Sequence, residues 1–357
     1  MSTKICQILI VSIALCIVSC QKAPVEPHFQ IPEQDSITLF VACEGSYGNG
    51  NASLYAVDES QNVVYGQLFK NANGEPLGDV LQWITVMGEK LFLCVNNSDK
   101  IEVVNRYTFK RLATIPVEKP RSLLIINEHR ALVGSLFHNK IYELDLDNCV
   151  VKKTLELSAK NAEQFLKVGH EIFVANWDDH CRQLYVLDSE DLSLKDSIRL
   201  PGFAPQCLVT DAQNNLWALA GNQTEGRRPT LSKIDPVSHQ ILDTFLFDTD
   251  FNAMRLVTDP SGQFLYFLGV NYSGQSAFNG VYKMNIDDEM LPALPWLKSG
   301  DFEYFWALGV QPHTGDVYLG LPKGFVQKGA VRVYSSTAIL QNEFQVGVGP
   351  GMFYFVD

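Results

Sequence analysis

A short alternating strand that ends in a polar residue returns seven times along this chain, and that repeat restricts the fold more than any other feature. It reads LYAVD at Leu54, IEVVN at Ile101, IYELD at Ile141, LYVLD at Leu184, LSKID at Leu231, VYKMN at Val281 and VRVYS at Val331. Each copy follows a more apolar strand: TLFVAC from Thr38, KLFLCV from Lys90, RALVGS from Arg130, EIFVAN from Glu171, NLWALA from Asn215, FLYFLG from Phe264 and DVYLGL from Asp316. A turn of Asp, Asn, Ser or Glu and a further strand come next, as in FKRLATIPV, VVKKTLEL and LSLKDSIRL. Helical patterns of ten or more residues are almost absent beyond the first twenty positions, while period-two alternation dominates, so the elements are strands joined by short turns. Four short strands per repeat of about 40 to 50 residues is the sequence mark of a propeller blade, which needs neighbours to cover its apolar faces.

Within a blade the innermost strand precedes this pair, as SLLIIN from Ser122, QCLVTD from Gln206 and MRLVTD from Met254. The first repeat has no such strand before it. The stretch Gly351 to Val356, GMFYFV, is left over at the other end of the chain. Joining the two completes blade one, closes the ring and removes a free sheet edge. The expectation is therefore an all-β, seven-bladed β-propeller with four-stranded antiparallel blades, closed by the C-terminal strand. A β-helix or a sandwich is the alternative, but neither needs a leftover strand.

The N-terminus reads as a targeting segment. Lys4 supplies a positive start, Ile5 to Val18 is apolar over a length suited to a signal peptide and short for a membrane span, and Ile17-Val18-Ser19-Cys20 resembles a bacterial lipobox. Cleavage before Cys20 would leave its thiol carrying diacylglycerol, and several acyl chains hold a protein at a membrane stably. An ordinary cleaved signal and an uncleaved anchor are the alternatives. Gln21 stands where an inner-membrane retention signal would place Asp, which favours the outer membrane. From Lys22 to Ser36 the prolines Pro24, Pro27 and Pro32 sit among polar residues, a composition expected to stay extended and pack poorly. The expected organisation is residues 1–19 as signal peptide, 20–36 as lipidated cysteine and tether, and 37–357 as propeller.

A formal net charge of -12 without a basic block argues against a nucleic-acid partner. Beyond the signal and Cys20 the cysteines are Cys43, Cys94, Cys149, Cys181 and Cys207, an odd number with no CxxC pair, so a zinc site is not indicated. No GxSxG elbow, HExxH, phosphate loop or EF-hand loop is present. Asp178-Asp179-His180 is the nearest approach to a metal set, but adjacent loop residues rarely converge on one ion, and a solvated turn is the plainer reading. A propeller lactonase would need carboxylates and amides from several inner strands, which here look mainly apolar. On this reading the chain is a binding protein rather than an enzyme, with neither cofactor nor metal implied.

Binding then falls to the loops at one end of the ring. Strand alternation puts the loop between the second and third strands of every blade at the same end as the loop leading into the next blade. These loops bring Tyr47, Trp83, Phe137, Trp177, Phe203, Tyr272, Phe278, Tyr304 and Phe325 together with Asn, Gln and a few charges. Aromatic bodies beside polar groups suit a large ligand that is part apolar and part hydrogen-bonding. The alternative for any one ring is that it plugs the channel or packs between blades.

The segment CEGSYGNGNASLYAVD, Cys43 to Asp58, resembles the opening blade of Bacteroidetes propeller lipoproteins, and the likeness runs over all seven blades as a YncE-like repeat. In signal, tether, size and blade count the chain is similar to surface lipoproteins that capture cobalamin and pass it to an outer-membrane TonB-dependent transporter. The resemblance implies the same task, ligand, partner and location here. A glycan-binding or structural propeller lipoprotein of another uptake complex is a second possibility, and a metal-dependent lactonase or hydrolase a third. For cobalamin the expected contacts are Tyr47, Asn49, Trp83, Arg121, Phe137, His138, Trp177, Asp178, Asn222, Arg227, Tyr272 and Phe325. Aromatics would stack, amides would bond the corrin amides, and Arg would pair with the ligand phosphate.

Overall fold

In the computed structural model, residues 24–32, 37–221, 227–271 and 278–356 are described. They form seven antiparallel sheets arranged as the blades of a propeller. Blade one consists of Pro350–Phe355, Leu39–Cys43, Ser53–Asp58 and Val63–Tyr65, counted outward from the centre. The C-terminal strand pairs antiparallel with the first long strand, Val41 opposite Phe353, so chain ends close the ring as the leftover strand required. The inner strands of blades two to seven are Leu81–Met87, Pro120–Asn127, Ala162–Val168, Pro205–Thr210, Ala253–Thr258 and Ala307–Val310.

The second strand of each blade is buried along almost its whole length, because both faces of the sheet are covered by neighbouring blades. Continuous apolar runs such as LFLCV and LWALA follow from this double burial. The core is accordingly divided into seven apolar clusters, one at each blade interface. Outer strands such as Leu194–Arg199 bury only one residue in six positions and carry the polar surface.

The polar residue that ends each repeat has a local purpose. Asp58, Asn105, Asp145, Asp188, Asp235, Asn285 and Ser335 each accept backbone N–H groups two to four residues ahead, fixing the turn to the outer strand. Short side chains that bond their own turn are the residues such turns select.

One difference from the sequence reading concerns residues 24–32. Expected to pack poorly, this segment runs along the outer edges of blades seven and one. Val25 donates to the Glu343 carbonyl at 2.9 Å and accepts from Gln345 N at 2.8 Å, and Pro27–His28 adds a fifth, parallel strand against Val64–Tyr65. The unpaired backbone of two outer strands supplies the partners that composition could not foresee. Cys20 and the signal lie outside the described residues, and among the described residues no helix is long and apolar enough to cross a membrane.

Candidate functional site

The inner strands surround a central channel, which opens into a cavity of 370 Å³ at the end where the second-to-third loops gather. Its deeper wall is apolar, with Leu256, Val257, Leu308, Met352 and Phe353. Its upper wall is not, and the reason lies in strand register.

In six of the seven blades the inner strand carries a bulge near its start, where the pairing with the second strand slips by one residue. The extra residue is Gln82 in blade two, Glu163 in blade four, Gln206 in blade five and Arg255 in blade six. In blade three Arg121 and Ser122 together oppose Gly134. A bulge re-aims a side chain that strict alternation would have placed elsewhere. Here it turns a polar group toward the channel in blade after blade, and Gln82, Arg121, Glu163, Gln206 and Arg255 all line the cavity. Blade one has Gly351 at its bulge. A Cβ there would stand 2.2 Å from Glu44 Oε1, so the missing side chain makes the space that Glu44 fills from just beyond the end of the second strand.

These groups are joined into a belt across blade boundaries. Arg121 donates from Nε and Nη2 to Glu163 at 2.6 and 2.8 Å and from Nη1 to Gln82 Oε1 at 2.6 Å, tying blades two, three and four. Gln164 brackets the Leu208 peptide, and Gln206 donates to the Ala253 carbonyl. On the far side Arg255 Nε donates to the Trp306 carbonyl at 3.0 Å, and the Trp306 indole N–H donates to Glu44 Oε1 at 2.8 Å. Burial pushes the Glu44 carboxyl above its ordinary range, only partly offset by the positive charge of Arg255 and the indole bond. Burial would pull the Arg121 guanidinium down, but the charge and hydrogen bonds of Glu163 outweigh it and hold the pKa raised. Cys207, also in the wall, is pushed up to about 11 by burial, so its thiol stays protonated at neutral pH.

Three indoles stand among these groups, those of Trp83, Trp177 and Trp306. Trp177 is 39% exposed and its ring lies 5.7 Å from the Arg121 guanidinium. Trp306 receives Phe325 edge-on at 5.4 Å.

Of the contacts expected from sequence, Trp83, Arg121 and Trp177 line the cavity. Tyr47 and Phe137 project outward on their loops, 76% and 62% exposed, with Asn49 and His138 beside them. Asp178 caps its own turn by accepting His180 N at 2.9 Å and also accepts Lys160 N, while Arg227 lies 4.1 Å over the Phe203 ring and bonds the Asp179 carbonyl. Phe325 reaches the site only through Trp306. Asn222 and Tyr272 lie outside the described residues. Among the described residues no three His, Cys, Asp or Glu side chains gather as a metal-binding set.

The sequence reading names none of Glu44, Gln82, Glu163, Gln206, Arg255 and Trp306 as a contact, and it takes the inner strands, which carry Gln82, Glu163, Gln206 and Arg255, as mainly apolar. They are apolar only below the rim. The signal is a polar residue just inside the start of five of the seven inner strands, in LQW, PRS, AEQ, PQC and MRL, visible once the repeats are set in register.

Solved structures with the same fold include a quinonprotein alcohol dehydrogenase-like protein from Bacteroides thetaiotaomicron, with a TM-score of 0.69 and 16% identity, covering 90% of this chain and 78% of that one. The periplasmic gluconolactonase PpgL of Pseudomonas aeruginosa matches with a TM-score of 0.65 and 13% identity over 90% of this chain and 99% of its own. A protein from Bacteroides fragilis described as a candidate 6-phosphogluconolactonase matches at 0.63 and 12% identity, over 91% and 100%. These likenesses are of fold. They correct the expectation that the chain is not an enzyme, because proteins named as lactonases share this architecture and the fold therefore gives no ground for excluding catalysis. A comparison with curated protein sequences returns no match. Residues 38–354 match the model of the family described as "Domain of unknown function (DUF5074)", and the chain belongs to that family.

Proposed function

We propose that this DUF5074 propeller binds cobalamin or a related corrinoid over the mouth of its channel, as a lipid-anchored outer-membrane protein that passes the ligand to a TonB-dependent transporter. The observation that carries the binding part is the convergence of Trp83, Trp177 and Trp306 on a 370 Å³ cavity with a polar rim, at the end of the ring where Tyr47 and Phe137 are also exposed. Concave apolar sites with a few placed polar groups are where small molecules bind. A corrin ring with its amide arms is far wider than the cavity. It would lie across the loops on the exposed aromatics and send a narrower substituent inward. The anchor, the outer-membrane address and the transporter rest on the lipobox-like Val18-Ser19-Cys20 and on the resemblance of the opening blade.

The test is calorimetric titration of residues 21–357 with cyanocobalamin, beside a Trp83→Ala and Trp177→Ala double variant. Binding that weakens in the variant supports both ligand and place. Absence of heat at micromolar concentration removes the corrinoid and leaves the cavity.

A second reading, hydrolysis of a small lactone or ester in the same cavity, is favoured by one observation: Glu44, a carboxyl whose proton affinity is raised by burial, faces the cavity beside Arg255. Carboxyls tuned upward in clefts are suited to proton transfer near neutral pH. Proton release from gluconolactone above the uncatalysed rate, lost in Glu44→Gln, would establish it; equal rates with and without protein would end it.

A further inference from the structure

We infer that Arg255 is the anion-holding group of the central cavity, and that the ligand it takes is an apolar or aromatic molecule bearing a carboxylate or phosphate. This rests on the reading of the cavity as the ligand site.

The cavity holds a second arginine, Arg121. Among the described residues, the hydrogen bonds of Arg121 all run to Glu163 and Gln82, so its charge is neutralised by its own belt. Arg255 differs at each step. Among the described residues it makes no ion pair, and its one hydrogen bond is from Nε to the Trp306 carbonyl. That bond leaves both terminal nitrogens of the guanidinium for a ligand. A guanidinium presents paired N–H groups in a fixed plane that matches the two oxygens of a carboxylate or phosphate.

Its position is also held. The guanidinium carbon lies 5.6 Å from the centroid of the Trp306 ring, so the indole supports one face of the fork. The residue itself sits at a bulge with φ of 54°, in the left-handed region that an arginine adopts only when the surroundings impose it. Strained backbone of this kind collects at ligand sites. Glu44 stands on the same side of the cavity, but its Oε1 is taken by the Trp306 N–H and no ion pair forms with Arg255. The apolar wall below, with Leu256, Leu308 and Phe353, supplies the surface for the rest of the ligand. An oxyanion entering here meets a half-buried cation, where charge pairing is stronger than in bulk water.

The test uses two probes of nearly the same shape, indole-3-acetate and indole-3-acetamide, titrated into the whole propeller at neutral pH and low salt. The acid is expected to bind at least tenfold more tightly than the amide. In Arg255→Gln that preference should vanish while amide affinity stays, and Arg255→Lys should restore part of it. Phenyl phosphate, run beside the acid, separates phosphate from carboxylate by the size of the gain that Arg255 gives. Circular dichroism and the melting midpoint check that each variant is folded. Equal binding of acid and amide by the native protein overturns the assignment and spares the cavity. A preference that survives Arg255→Gln overturns it too. If neither probe binds, the cavity reading and the assignment fall together.

Discussion

The two sides of the cavity use the same kinds of residue to opposite ends. On the side of blades two to four, Arg121 is closed in by Glu163 and Gln82, all three little exposed, and the cluster fastens three blades to one another. On the side of blades six, seven and one, Arg255, Trp306 and Glu44 are linked in a chain whose charged ends, Arg255 and Glu44, keep bonding capacity toward the channel. The contrast separates structure from recognition within one ring: a charge whose partners are all built in contributes to closure, and a charge with donors left over contributes to a ligand.

The largest loss is expected for Glu163→Ala. It leaves Arg121 buried without its carboxylate and is expected to cost about 3 kcal/mol of stability, the range for removing one member of a buried pair. Arg255→Ala should cost less than about 1 kcal/mol, as it removes no ion pair. Chemical denaturation of both variants decides; equal losses would erase the distinction. Next is Gly351→Ala. The added Cβ at 2.2 Å from Glu44 Oε1 must displace that carboxyl from the Trp306 N–H. A loss of about 2 kcal/mol is expected, with a shift in tryptophan emission. Trp177→Ala removes an exposed wall and its contact with Arg121, and should weaken indole-3-acetate binding by about tenfold with little change in melting.

The pH dependence sharpens the open side. Burial raises the Glu44 carboxyl above its ordinary 4.5, so the folded protein holds this proton more tightly than the unfolded chain does. Its contribution favours the fold most below 4.5 and declines as pH rises through the window up to the raised value, where the folded state must bear a buried charge. Urea midpoints of Glu44→Gln measured against the parent across that window should show the parent losing ground with rising pH. The smallest effect is expected at the opposite end of the ring. There both His239 nitrogens meet carboxylates, Glu171 at 2.9 Å and Asp196 at 2.7 Å, across blades four and five. Burial lowers the His239 pKa, but these bonds outweigh it and raise it above 6.5. This clasp is present below 6.5 and lost as pH climbs through the raised value. His239→Ala should cost less than about 1 kcal/mol in acid and leave probe binding unchanged.

Much of the fold was legible because it depends on local pattern repeated. Seven copies of an alternating strand with a turn-capping polar end, seven doubly buried partners and one unmatched terminal strand prescribe seven blades and the manner of closure. The same periodicity hid the site. A bulge shifts register by one residue, and a reading based on alternation assigns Gln82, Glu163 and Arg255 to the wrong face or smooths them into apolar strands. Trp83, Arg121 and Trp177 line the cavity at the end of the ring where they are expected, because loop chemistry at that end is visible from strand order alone. Tyr47 and Phe137 were placed at the right end, but how far a loop leans inward is set by contacts its own sequence does not contain.

The sequence by itself thus determined the number of blades, the strand that closes them and the end of the ring where aromatic residues collect, since these follow from spacing along one chain. Only the tertiary structure decided which polar groups turn inward, that residues 24–32 lie against the outer edges, and that Arg121 is satisfied while Arg255 is not. Those outcomes depend on partners drawn from blades some 40 or more residues apart, and pairing across that distance is fixed by packing rather than by any local preference.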